Sequence, residues 1–250
     1  MTSQPAAAHA ATIEDFTHNL QAVHQRIAAA ATAAGRNPKD VRLLPVTKTI
    51  PSQRLRLAIA AGVDTLGENK VQEALAKSEE LADLTHLRYA IIGPLQRNKA
   101  KFVARFAHEF HALDSLRLAE TLQRQLEAAE RTLEVYIQVN TSGEDTKSGI
   151  QADEAAELAA ALQPLDRLEL RGLMTMAAHS TDQAMVRASF RRLRECAESV
   201  RDAAPNPERF TQLSMGMSGD FELAIAEGAT VVRVGQGIFG ARHYPDRSAQ

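Results

Sequence analysis

The 250-residue chain contains no tryptophan, a single cysteine, and only eight phenylalanines and three tyrosines. One cysteine, Cys196, excludes an intramolecular disulfide and a multi-cysteine metal site, and it points to a reducing compartment. Absent too is any apolar run long enough to span a bilayer. The alanine-rich start, Ala6 to Ala11, lacks the cationic lead and sustained apolar stretch of a signal peptide. These absences predict a cytoplasmic protein whose residues 1–11 are disordered. Neither sign of charge dominates, since 29 Lys and Arg face 31 Asp and Glu, and this removes the electrostatic basis for binding nucleic acid. The local basic groups Arg97, Lys99, Lys101 and Arg187, Arg191, Arg192, Arg194 fall in helical stretches and read as solvated faces. No His, Cys and Glu cluster has the spacing of a metal site.

What is present is an alternation. Ile13, Phe16, Leu20, Val23 and Ile27 recur every three or four residues, which predicts an amphipathic helix ending near Gly35. Short apolar runs then alternate with helical stretches, predicting strands near 43–47, 63–67, 88–92, 110–113, 133–139, 168–174, 211–214 and 231–234. Gly62 and Gly228 close helices ahead of strands, and Pro51 opens one. Eight strands in a chain of this size favour a single (β/α)8 barrel over an open doubly wound sheet. The expected layout is one barrel domain over 12–245 and a C-terminal tail over 246–250, with the N-terminal helix in the place of an eighth barrel helix.

Strand alternation puts Leu44, Val46 and Lys48 on one face of the first strand, with Lys48 at the C-terminal mouth where barrel chemistry is done. An ammonium on an inward face is desolvated unless an anion meets it or its pKa falls. Two outcomes fit: a salt bridge to Glu68, or a Schiff base with the aldehyde of pyridoxal 5′-phosphate (PLP). The last two strands end in Ser214-Met215-Gly216-Met217-Ser218-Gly219 and Gly235-Gln236-Gly237, loops whose backbone N–H groups can converge on a phosphate. Arg233 interrupts Val231-Val232-Arg233-Val234 and is buried whichever face it takes, so it needs an acceptor. That acceptor is a carboxylate on a neighbouring strand or the pyridine nitrogen of PLP, which an always-charged donor would keep unprotonated. Asn69 either touches the cofactor ring or caps the next helix. Met174 packs the barrel or supports a cofactor face, and residues 141–149 form a polar loop in which Lys147 can reach a ligand.

Several segments in fixed order carry a resemblance: Val46-Thr47-Lys48-Thr49, Gly67-Glu68-Asn69, Ile92 through Lys99, Asn140 through Gly149, Arg171-Gly172-Leu173-Met174, Leu213 through Ser218, and Arg233-Val234-Gly235. Over nearly the whole chain the sequence resembles the pyridoxal phosphate homeostasis proteins, PLP-binding relatives of the alanine racemase barrel. The resemblance implies PLP fold type III, with Lys48 as the Schiff-base lysine and Arg233 facing the pyridine nitrogen. Ser214 and the backbone of Gly235 and Gln236 would hold the phosphate, and Asn69, with Val46, Met174 and Met215, would lie around the cofactor. It also implies a monomer that keeps PLP bound and available to PLP-dependent apoenzymes, with effects on vitamin B6 and amino-acid homeostasis, rather than an enzyme. The chain departs from the family pattern at Gln236, where a hydroxyl residue is common, and at Ala90, where relatives often carry His.

Two other functions compete. A PLP-dependent racemase needs an acid/base on each face of its substrate, and resemblance supplies the second as a tyrosine from an extra β-domain that this sequence does not show. Only Tyr89, Tyr136 and Tyr244 are available. A barrel binding another phosphorylated metabolite would use Lys48 as an electrostatic clamp without a covalent bond.

Overall fold

A computed structural model describes residues 10–143 and 148–240. Of the residues 1–11 expected to be disordered, 1–9 lie outside the described residues, as do Lys147, Tyr244 and the C-terminal tail, whereas Ala10 is buried and the Ala11 N–H donates to Asp15. The first helix, α1 (Ile13–Ala33), opens on a capping box in which the Thr12 hydroxyl accepts from the Asp15 N–H and the Asp15 carboxylate accepts from that of Thr12. Its stripe of Phe16, Leu20, Val23 and Ile27 is buried, and Gly35 in the left-handed region ends it.

Strands and helices then alternate: β1 (Arg42–Pro45), α2 (Ser52–Ala60), β2 (Thr65–Glu68), α3 (Val71–Glu80), β3 (Arg88–Ile91), α4 (Ala100–Phe106), β4 (Glu109–Leu113) and α5 (Leu116–Ala128). They continue with β5 (Leu133–Gln138), α6 (Ala155–Ala161), β6 (Leu168–Met174), α7 (Gln183–Val200), β7 (Gln212–Met217), α8 (Phe221–Ala226), β8 (Val231–Val234) and the one-turn α9 (Gln236–Phe239). The eight strands form one sheet in which β1 pairs in parallel with β8 and the remaining neighbours follow in sequence order. A parallel bridge between Val46 and Gly67 joins β1 to β2 and closes the ring. The fold is the (β/α)8 barrel that the alternation predicted, and each strand lies within a few residues of its expected place.

The helix α1 packs against α2, α8 and α9, the position of a helix following β8. Asn19 donates to the Ile238 carbonyl at 3.0 Å, Phe16 meets Phe239 edge-on, and Arg54 of α2 donates to the carbonyls of Ala10 and Phe239. These contacts fix the chain that leaves β8, and so the loop that begins at Gly235.

Most of the core lies between the outer faces of the strands and the helices. The barrel interior is divided. On one side Leu44, Ala90 and Val231, from β1, β3 and β8, form a small apolar cluster across the lumen. The rest is filled by a chain of buried polar side chains. Gly172 of β6 is required there, because a Cβ would stand 1.7 Å from the Gln212 carbonyl oxygen. No described helix is long and apolar enough to cross a membrane, and among the described residues no group of His, Cys, Asp and Glu is arranged to hold a metal.

Candidate functional site

The contact of Leu44 with Ala90 and Val231 identifies the inner face of β1. Val46 continues that face, and half-buried Lys48 follows at its end. Gly235 lies against the same point, since a Cβ there would approach the Val46 carbonyl oxygen to 3.1 Å. The two ends of the ring closure thus bring together Val46, Lys48 and Gly235, as the sequence predicted for one mouth.

The carboxylate expected as a partner of Lys48 is engaged elsewhere. Glu68 is fully buried on the outer side of the wall, where Lys77 of α3 lies 2.7 Å from it and the Thr47 hydroxyl donates to it at 2.5 Å. Burial pushes the Glu68 carboxyl above its usual range despite Lys77 and Thr47, and its second oxygen has no hydrogen-bond partner. The Lys77 ammonium also donates to the Thr47 carbonyl at 2.8 Å and to Glu73 at 2.8 Å, while the Thr49 N–H donates to Glu73 at 2.6 Å. Thr49 sits at φ 66°, in the left-handed region that a threonine adopts at a cost. The peptide groups on both sides of Lys48 are therefore tied to one buried clamp. Neither Lys77 nor Glu73 stands out in the sequence, because their i, i+4 spacing resembles an ordinary solvated helix pair.

Arg233 is buried inside the barrel. Among the described residues its guanidinium meets no carboxylate: it donates to the carbonyl and hydroxyl of Ser214 at 2.7 and 2.8 Å and to the Thr175 carbonyl at 2.7 Å. The expectation of a carboxylate partner is thus replaced by neutral acceptors. Burial, partly offset by Asp220, lowers its pKa to about 10, so it remains cationic at neutral pH. A guanidinium has five N–H groups, and these three bonds leave two for a further acceptor.

Below Arg233 the polar chain continues. The Ser214 hydroxyl lies 2.9 Å from His111 Nδ1, and His111 Nε2 lies 2.9 Å from Glu109. Arg42 grips both oxygens of Glu109 at 2.7 and 2.6 Å. Burial pushes the Glu109 carboxyl up, but the hydrogen bonds of His111 and Arg42 win and hold it well below the carboxylate range. His111 is fully buried, which lowers its pKa, and it stacks on Tyr136, whose hydroxyl donates to Gln212. None of Arg42, Glu109 or His111 was singled out from the sequence; the only signal is that Glu109 and His111 share one face of a strand.

At the mouth, β7 and β8 meet where the Gly235 N–H donates to the Ser218 hydroxyl at 3.3 Å. Ser218 is half-buried, and Gly219 and Gln236 are exposed beside it. Met215 takes the face opposite Ser214 and is buried in the core between strands and helices, leaving only its backbone to face the site. Met174 is buried in β6, one strand from Ser214, with which it is in register. Asn69 does not cap α3: the N-cap is Lys70, without a side-chain cap bond. The half-buried Asn69 side chain makes no hydrogen bond among the described residues. The arginines of α7 are not merely solvated. Arg187, Arg191 and Arg194 converge on Glu227 at 3.2, 3.5 and 3.2 Å, and Arg192 donates to the Thr141 carbonyl.

Comparison with known proteins agrees with this geometry. The family described as alanine racemase, N-terminal domain, matches residues 18–243. A pyridoxal phosphate homeostasis protein of Escherichia coli K12 is 43% identical over 93% of this chain and 99% of its own length. The protein of the same name from Pseudomonas aeruginosa is 45% identical over 92% and 96%. The solved structure of PipY from Synechococcus elongatus with PLP bound is 34% identical, with a TM-score of 0.78 over 90% of this chain and 100% of that one. Similarity of this extent, on a closed barrel with a lysine and a buried arginine at its mouth, makes the chain a member of the pyridoxal phosphate homeostasis protein family.

Proposed function

We propose that this protein binds PLP reversibly at the barrel mouth, with Lys48 as the residue that makes the covalent bond. The observation that carries this reading is Arg233, a buried cation on the same inner face as Lys48 and left, among the described residues, with two unused N–H groups. PLP fits that donor set. Its pyridine nitrogen is an acceptor for Arg233, its phosphate is an anion for the loops after β7 and β8, and its aldehyde condenses reversibly with an amine. Ser218, with the backbone N–H groups of Gly235 and Gln236, supports the phosphate reading, because hydroxyl and amide already meet there. Asn69 has an uncommitted side chain for the ring, while Val46 and Met174 bound the inner wall.

Arg233 holds its charge at a ring nitrogen it cannot protonate, so the ring is a weak electron sink. The clamp of Lys77 and Glu73 orients Lys48 through its flanking peptides. Neither tyrosine among the described residues is set out as a second acid/base. Tyr136 is committed to Gln212 inside the barrel, and Tyr89 packs against Phe106 on the helix side. This supports holding and release of PLP rather than turnover of an amino acid.

Equilibrium dialysis with PLP tests the proposal. The wild-type protein should retain PLP, and Lys48→Ala should weaken retention at least ~10-fold while leaving phosphate-dependent binding, a loss of about 1.4 kcal/mol or more. No retention by the wild type, or equal retention by the variant, contradicts it. Proton exchange at Cα of L-alanine in D2O should be no faster than with free PLP; faster exchange would favour the racemase reading.

A further inference from the structure

Ser214 lies on the strand that leads into the proposed phosphate loop, yet its hydroxyl is turned into the barrel and is fully buried. With the His111 imidazole neutral, as its burial favours, the donors and acceptors around it admit one arrangement. A guanidinium only donates, so the Ser214 oxygen accepts from Arg233 at 2.8 Å. Its own proton then goes to His111 Nδ1, 2.9 Å away. Ionised Glu109 only accepts, so the proton of His111 resides on Nε2. Arg42 fixes Glu109 from below with two bonds, and Tyr136 fixes the imidazole plane by stacking at 3.9 Å between centroids. Every proton between Arg42 and Arg233 along Glu109, His111 and Ser214 then has one place, and the chain ends on the buried Arg233 guanidinium.

We infer that His111 and Ser214 are positioning residues: their hydrogen-bond chain holds the Arg233 guanidinium in the orientation that meets the cofactor's ring nitrogen. Ser214 is then not a phosphate ligand, which corrects the role that family resemblance implied for its side chain. The inference rests on the reading that PLP binds with its ring on Arg233. It follows physically from the burial of a guanidinium among neutral acceptors. Two carbonyls and one hydroxyl hold it, and only the hydroxyl can rotate away, so the orientation of Arg233 depends on what fixes Ser214. His111 does so by taking the serine proton.

The discriminating experiment compares PLP with pyridoxal, which lacks the phosphate, in the wild type and in Ser214→Ala, Ser214→Thr, His111→Phe, Ser218→Ala and Arg233→Gln. The readouts are dissociation constants and the absorption maximum of the bound cofactor. Ser214→Ala and His111→Phe should shift the absorption maximum in the direction that Arg233→Gln shifts it, and should weaken PLP and pyridoxal by the same factor. Ser214→Thr, which keeps the hydroxyl, should restore the wild-type spectrum. Ser218→Ala should weaken PLP about 10-fold with little effect on pyridoxal, the worth of a hydrogen bond to a charged group. Selective loss of PLP over pyridoxal in Ser214→Ala makes Ser214 a phosphate ligand and overturns the inference. An unshifted spectrum in Ser214→Ala, with a shifted one in Arg233→Gln, overturns it as well. If Arg233→Gln itself leaves the spectrum unchanged, the underlying reading of the ring position is what fails. Should His111→Phe not fold, Ser214→Ala decides the matter alone.

Discussion

Two buried polar clusters approach the barrel mouth from opposite sides of the strand wall, and they are built differently. The inner one runs along the lumen from Arg42 through Glu109 and His111 to Ser214 and Arg233, and its upper cation rests on neutral oxygens. The outer one sits between β2 and α3, where Lys77 is matched by two carboxylates and touches the mouth only through the peptides flanking Lys48. The inner cluster therefore delivers positive charge to the mouth, whereas the outer one delivers geometry and keeps its charges to itself. A site that must capture an aldehyde and a phosphate needs both, and the wall keeps them from interfering.

The sharpest way to break the contrast is to remove the charge at the root of each cluster. Glu109→Leu leaves buried His111 and half-buried Arg42 without their anion and should cost about 3 kcal/mol in urea unfolding, the low end for a broken buried pair because Arg42 reaches water. Lys77→Met should cost less, because Glu68 is already raised and relieves its burial by taking a proton. It should nevertheless slow covalent capture of PLP about 10-fold by freeing the peptides around Lys48, without moving the absorption maximum that reports on Arg233. Adding Glu68→Gln to Lys77→Met should recover part of the lost stability; a further loss would show that the clamp is not an electrostatic unit.

A smaller effect separates the clusters by pH. Glu109 has a folded pKa below its unfolded value of 4.5, so its contribution is present above that value and is lost as pH falls through the folded pKa. Glu68 has a folded pKa above 4.5, so its contribution is present below that value and is lost as pH rises through the folded pKa. Glu109→Gln should therefore destabilise more at about pH 7 than at about pH 4, and Glu68→Gln should become relatively more favourable as pH rises. Half-buried His108 adds a background to every variant, deepened in Glu109→Gln because Glu109 partly offsets the lowering of the His108 pKa. Its pKa falls from 6.5 to about 4 through burial, so stability declines as pH drops across that window.

The fold was legible because a (β/α)8 barrel repeats its signal eight times, and errors of a residue or two at strand ends do not change the count. Lys48 and Arg233 were legible for a different reason: each is a charge inside an apolar strand, and such a charge always demands an explanation. His111 and Glu109 lie on a strand that reads Glu109-Phe110-His111-Ala112-Leu113, where alternation alone does not say which face is inward. Their partners come from β1 and β7, which meet the side chains of β4 across the lumen only once the ring has closed. Lys77 was hidden because a Glu and Lys four apart on a helix usually face water. Asn69 was open to two readings, ring contact or helix cap; the helix begins one residue later, with Lys70 at its N-cap, and among the described residues the Asn69 side chain makes no hydrogen bond. Ser214 was placed by resemblance at the phosphate, and only the inward turn of its hydroxyl shows that its bonds are already made.

The most direct test of the account is borohydride reduction of the protein after addition of PLP, followed by peptide mapping of the adduct. The account predicts a yellow protein and one reduced pyridoxyl group on the peptide carrying Lys48. An adduct on another lysine, or none at saturating PLP, would contradict the assignment of this mouth as the PLP site.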